Sequence, residues 1–188
     1  MTENKTPSMD ELVKVKDYLK DVIVDLKYST KDNFTKNIIY DYKDAYLRYG
    51  TVKRLENVQN ELKEMGLNLK IWDAFRTVKS QFVMWEVYPV DDYVADPYHG
   101  FSNHSRGNAI DLTLVDSLGN ELEMPTAFDD FEAMEKYDYS ALENEKKTKN
   151  AYLLKDVMVK WGFRPSTSEW WHFTDVDKYE VEENFSGK

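Results

Sequence analysis

The sequence predicts an α+β fold, a mainly antiparallel central sheet flanked by helices, and three observations carry that expectation. Segments with the two-residue repeat of strands and segments with the three-to-four-residue repeat of helices are intermixed along the chain. They do not follow the regular strand–helix–strand alternation that builds a parallel sheet. At 188 residues, the chain is long enough for one domain with a real core and short for two.

In chain order, residues 1–8 read as a polar tail and 9–188 as a single domain. "VIVDLKYS" (22–29) reads as a strand, because Val22, Val24 and Leu26 fall on one face. "TVKRLENVQNELKEMG" (51–66) reads as a helix: Val52, Leu55, Val58, Leu62 and Met65 recur every three or four residues, and Gly66 is placed to end it. "LNLKIWDAF" (67–75) alternates Leu67, Leu69 and Ile71 with other residues, as a half-buried strand does, and Arg76 falls at its end. "TVKSQFVMWEVY" (77–88) reads as a helix. Residues 89–101, with two prolines, a glycine and three aspartates, read as a long loop. "NAIDLTLVD" (108–116) is a strand, and "SLGNE" turns it into a second one, Glu121–Met124. "KNAYLLKDVMVKWG" (149–162) is a helix with Leu153, Leu154, Val157, Met158 and Trp161 inward, and "EWWHFTDV" (169–176) is an aromatic strand.

Composition narrows the function classes. The chain is 41% hydrophobic and 32% charged, with a formal net charge of −10. Such a field repels phosphate backbones and argues against nucleic acid as a partner. No apolar run approaches the roughly 20 residues that span a bilayer. The first residues also lack the apolar stretch of about 7–15 residues that a secretion signal needs. No membrane partner is expected, and the location is expected to be cytoplasmic. A homo-oligomer stays open. The chain has no cysteine, which excludes disulfides, thiolate metal sites and cysteine nucleophiles. Any metal must be held by His, Asp and Glu.

Two segments bear on that last point. "SNHSRGNAIDLTLVD" (102–116) sets His104 among small polar residues, with Gly107 permitting a tight turn and Asp111 beginning a strand. Far along the chain, "EWWH" supplies Glu169 and His172. Taken singly, His104 reads more readily as a hydrogen-bonding loop residue and His172 as a satisfied core residue. Together they offer the count that a catalytic zinc requires, three protein ligands and an open position: His104, Asp111 and His172. Glu169 is then left over as a carboxylate able to take a proton from water beside the metal, and its aromatic neighbours raise its basicity by desolvation. The third histidine, His99 in "DPYHG", matches neither arm and reads as a loop residue.

At these residues the sequence resembles the zinc D,D-peptidases. "SNHSRGNAID" is similar to their S-x-H-x-x-G-x-A-x-D pattern and "EWWH" to their E-x-W-H. "VDLKYSTKDNF" (24–34), "WDAFR" (72–76) and "MPTAFDDF" (124–131) look like blocks of the D-alanyl-D-alanine dipeptidases, in that family's order, so that the likeness runs from about residue 12 to 176. The resemblance implies a zinc D,D-peptidase or hedgehog-like fold, one Zn2+ per chain, and hydrolysis of the small dipeptide D-alanyl-D-alanine. It implies zinc ligation by His104, Asp111 and His172, with Glu169 as base. It implies Arg76 as the group that stabilises the oxyanion, Ser102 as a substrate contact, and Asp129 as receiver of the substrate ammonium. Asp130 is the alternative for the last role, because the two aspartates are adjacent. Thr77 stands where the family often has proline, which is expected to alter the local turn and leave the guanidinium in place. The loop 89–101 is expected to cap a small cavity.

Two other readings fit the same motifs. A D,D-carboxypeptidase, or another peptidase acting on larger wall peptides, shares the metal segments. A non-catalytic zinc protein on a hedgehog-like scaffold would not need Glu169 and Arg76, and both are present.

Overall fold

The structure, a computed structural model, describes residues 6–131 and 146–186. The expected tail lies partly outside the described residues. The chain opens with β1 (Leu12–Lys14), the single turn α1 (Val15–Tyr18) and the short strand β2 (Ile23–Val24). Next come β3 (Tyr46–Arg48), α2 (Tyr49–Glu64), β4 (Leu67–Asp73) and α3 (Val78–Val87). The second half holds β5 (Ala109–Asp116), α4 (Lys146–Lys160), β6 (Phe163–Pro165) and β7 (His172–Asp175).

β1 and β3 pair as a separate antiparallel ribbon. The main sheet runs β2-β4-β5-β7-β6, with β2 parallel to β4 and every other pair antiparallel. The fold is α+β with a mainly antiparallel sheet, as the sequence predicts.

Strand periodicity divides the two faces of this sheet. Leu69 and Ile71 of β4 pair with Leu114 and Leu112 of β5, and Ile110 pairs with Phe173 of β7. All six are fully buried, as are Val52, Leu55, Val58 and Leu62 on α2, which packs against β4 and α4. Each such side chain contributes roughly 1.5–3 kcal/mol of burial energy. The helical face is therefore the core that holds the strands in register. The opposite face is left for polar work: Asp111 pairs with His172 there. A β-bulge at Trp72 brings Asp73 opposite Asp111. In unbroken alternation Asp73 would point to the apolar side with Ile71, so the bulge re-aims a carboxylate toward the site.

α2, β4, α3, β5 and α4 stand where periodicity expects them, within two or three residues. Three expectations need correction. The strand expected over 22–29 is only Ile23–Val24; Lys27–Ser29 form a 3-10 turn, because the carbonyl of Tyr28 accepts from both Ile39 and Tyr40 and the chain must bend to meet them. Glu121–Met124 makes one bridge to Val115 and a bond from Leu122 N to the Leu114 carbonyl, and then leaves the sheet. Pro125 has no N–H to continue a ladder. The strand expected over 169–176 shortens to β7, and Glu169–Trp171 instead precede it as a turn.

Candidate active site

His104 sits on a 3-10 turn, Asn103–Arg106, whose start is capped by the Ser102 hydroxyl accepting from His104 N–H at 3.2 Å. Gly107 ends the turn at φ +74, and a Cβ there would lie 2.5 Å from a Leu12 methyl. Only glycine takes this backbone without strain. The next residues enter β5, which carries Asp111. His172 heads β7 and faces Asp111 directly across the ladder. Two distant segments are thus joined by the register of one strand pair.

Three ligand atoms converge. His172 Nδ1 lies 2.9 Å from Asp111 Oδ1, His104 Nε2 lies 3.5 Å from the same oxygen, and the two ring nitrogens are 3.3 Å apart. A tetrahedral zinc with bonds of about 2.0–2.1 Å holds its ligands roughly 3.3 Å apart. The outer ring atom of His104 fixes its tautomer. His104 Nδ1 is 2.7 Å from the Ala74 carbonyl, which only accepts, so Nδ1 carries the proton and Nε2 a lone pair. His172 Nε2 is 3.2 Å from the Thr174 hydroxyl, which both donates and accepts, so a proton on Nε2 has a partner when Nδ1 turns its lone pair to the cluster. Two imidazole nitrogens and a carboxylate oxygen at these distances form a donor set that fits a divalent metal.

Burial works against ionising Asp111, but the imidazoles of His104 and His172 outweigh it and hold the carboxyl well below the usual range. Burial likewise opposes the charged form of His104, and the carboxylates of Asp111 and Asp73 more than offset it.

Glu169 belongs to the turn before β7, where the Ser166 hydroxyl accepts from its backbone N–H at 3.2 Å. Its Oε2 stands 3.9 Å from His172 Nδ1, beside the cluster and outside hydrogen-bond reach. Burial pushes this carboxyl up to about 8; Asp111 and Asp129 add to the effect, and His172 and Arg76 oppose it.

Arg76 is not at the strand end: β4 stops at Asp73, and Arg76 follows in an extended segment. It is buried, with Nη2 2.6 Å from Asp73 Oδ2, Nη1 2.8 Å from Gln81 Oε1 and Nε 3.2 Å from the Tyr40 hydroxyl. Its guanidinium also lies 5.3 Å from the centre of the Tyr28 ring. Three of its five N–H donors are engaged in this way, leaving one on each terminal nitrogen for a ligand. Thr77 caps α3, its side chain accepting from Ser80 N–H. The turn is re-capped and the guanidinium keeps its place.

Asp129 takes the left-handed backbone at φ +58 and accepts a 2.8 Å hydrogen bond from the Tyr28 hydroxyl. Burial pushes its carboxyl up to about 8, with the charge of Asp111 adding. His104, Asp111, His172, Glu169, Arg76, Ser102 and Asp129 all line one cavity of about 240 Å³. Asp130 is exposed and lies outside that lining. Asp91–Ala95 and Phe101 of the long loop form part of the wall. His99 does not: it is exposed and pairs with Asp96 at 2.6 Å.

Sequence reasoning assigned no role to Asp73, Tyr28, Tyr40 or Gln81, although Asp73 and Tyr28 stand inside the quoted blocks "WDAFR" and "VDLKYSTKDNF". A polar residue three places before a functional arginine is a usable signal. The Tyr40 and Gln81 contacts depend on tertiary approach and leave no local pattern. A larger cleft of about 770 Å³ runs along α2, but its Lys63, Lys53 and Arg54 are paired with Asp21, Glu56 and Asp177, and among the described residues no metal-ligand set converges there.

The chain as a whole is similar to known proteins. A family model described as D-ala-D-ala dipeptidase (Peptidase_M15) matches residues 8–187. The chain is 37% identical over 163 residues to a D-alanyl-D-alanine dipeptidase of Escherichia coli (strain K12), covering 87% of this chain and 83% of that protein. It is 27% identical over 174 residues to one of Enterococcus faecalis, covering 82% and 86%. Among solved structures, VanYB in complex with D-Alanine-D-Alanine is similar at a TM-score of 0.48 and 14% identity, over 71% of this chain and 73% of that one.

Proposed function

The chain belongs to the D-Ala-D-Ala dipeptidase family of peptidases, and from that premise we propose that it hydrolyses D-alanyl-D-alanine to two molecules of D-alanine in the 240 Å³ cavity, with one zinc ion held by His104, Asp111 and His172. The observation that carries this reading is the convergence of three lone-pair atoms with an unligated carboxyl, Glu169, beside them. When bound, zinc supplies Lewis acidity toward a carbonyl and lowers the pKa of water from 15.7 to about 7.

The chain's own groups do the rest. Burial and the nearby carboxylates of Asp111 and Asp129 raise the basicity of Glu169, which suits a group that exchanges protons with water. It takes a proton from the attacking water and gives it to the nitrogen leaving the broken peptide bond, so that water adds across the bond and two amino acids result. Arg76, locked by Asp73, Gln81 and Tyr40, offers its two remaining N–H groups to the carbonyl oxygen as negative charge develops there. Because the guanidinium is already oriented, this stabilisation needs no reorganisation during the reaction. The Ser102 hydroxyl accepts from His104 N–H and keeps its own hydrogen to donate to substrate.

Asp129 receives the substrate ammonium. Burial disfavours its ionised form, and a cation beside it reverses that preference. A longer peptide brings a neutral amide to this position and a chain for which the cavity, below the roughly 300–1,000 Å³ of drug-sized pockets, has no room. The cytoplasmic location expected from the sequence is part of the same proposal, and cell fractionation tests it.

Incubating zinc-loaded protein with D-alanyl-D-alanine and quantifying free D-alanine tests the activity. Release from the dipeptide faster than from a D-Ala-D-Ala-terminated pentapeptide is expected. No release, or preference for the pentapeptide, contradicts the dipeptidase reading.

A further inference from the structure

We propose that Gln81 is a positioning residue that ties the Arg76 guanidinium to the loop walling the cavity, so that one side chain sets both the oxyanion partner and the wall of the substrate site. Gln81 lies on the inward face of α3 with Ser80 and Met84 and is fully buried. Its Oε1 accepts from Arg76 Nη1 at 2.8 Å, and its Nε2 donates to the Ala95 carbonyl at 2.7 Å. Arg76 and Ala95 both line the cavity. The partners are chemically unlike: a guanidinium only donates and a carbonyl only accepts. They fix the orientation of the amide, and only a carboxamide of this length satisfies both.

The bridge spans two parts of the site that differ in rigidity. Arg76 is also anchored by Asp73, on the bulged end of β4. Asp91–Ala95 belong to a loop with no strand pairing, held from within by bonds such as Val94 N to the Val90 carbonyl. The Gln81 amide passes the position of the rigid element to the loop, which carries Asp91, Asp92 and Tyr93 on the cavity wall. Substrate pressed against that wall is thereby registered relative to the guanidinium, and small misplacements of reacting groups are costly in rate.

This inference rests on the dipeptidase reading for its kinetic arm, and two variants separate its parts. Q81E keeps an acceptor for Arg76 but, ionised beside the guanidinium, cannot donate to Ala95. Q81M fills similar space and makes neither bond. In the zinc-loaded enzyme, Q81M is expected to lower kcat about 10- to 100-fold and raise KM. Q81E is expected to raise KM similarly while lowering kcat less. Hydrogen exchange of the amides of residues 91–96, read without substrate, is expected to speed up in both variants. Wild-type kcat and KM in Q81M, equal kcat losses in the two variants, or unchanged exchange at 91–96 overturns the proposal. Because exchange is read without turnover, a wild-type protein inactive on the dipeptide overturns the dipeptidase reading while the Ala95 tie is judged separately.

Discussion

Nε2 of His104 lies 3.3 Å from Nδ1 of His172, and Asp111 Oδ1 is within 3.5 Å of both. The outer nitrogens face the Ala74 carbonyl and the Thr174 hydroxyl, partners that let both inner nitrogens present lone pairs to one ion. H172A is expected to lose most bound zinc at micromolar concentration, as measured by metal analysis after gel filtration. Retention of one zinc per chain in H172A contradicts the assignment.

Glu169 stands beside this cluster without joining it. E169A is therefore expected to keep its zinc while turnover falls roughly 10²–10⁴-fold, the usual worth of a general base. Parallel metal content and kcat measurements decide it; loss of zinc together with activity would make Glu169 a ligand.

Arg76 and Asp73 form a buried pair, Nη2 to Oδ2 at 2.6 Å. Removing the guanidinium strands a carboxylate that has no exposure. R76M is expected to lower kcat about 10²–10³-fold and to destabilise the fold by roughly 3–5 kcal/mol. R76M/D73N, which removes both charges, is expected to regain much of the stability and none of the rate. Urea denaturation with steady-state kinetics checks both halves.

The Asp129 carboxyl is raised from 3.8 to about 8, so between those values the folded protein holds a proton that the unfolded chain releases. Its contribution to stability is complete below about pH 4, declines as pH rises, and is gone above about 8, at a slope of up to about 1.4 kcal/mol per pH unit. Glu169, raised to about 8, acts with the same sign. Metal-free protein is expected to lose urea resistance from pH 5 to 8, and D129N to show a shallower slope. An unchanged slope in D129N contradicts the burial assigned to Asp129.

Much of this was legible in the sequence, and the reason differs by element. α2, β4 and β5 each bury one face with a clean period, so pattern alone locates them. The metal segments are legible because His and Asp stand in a polar stretch with a glycine where a turn must reverse the chain. β2 was overextended because Val22, Val24 and Leu26 are all inward-leaning although the chain leaves the sheet after Val24. The bulge that turns Asp73 toward Asp111 leaves no mark on the alternation of "LNLKIWD". The Arg76–Gln81–Ala95 bridge joins residues whose meeting depends on how α3 packs, which local pattern does not encode.

The central claim is that His104, Asp111 and His172 grip one ion. A crystal of the zinc-loaded protein, with anomalous data collected at the zinc edge, tests it most directly. The account expects a single strong peak about 2.0–2.2 Å from His104 Nε2, His172 Nδ1 and an Asp111 carboxylate oxygen. A peak held by other side chains, or no peak between these three, would contradict it.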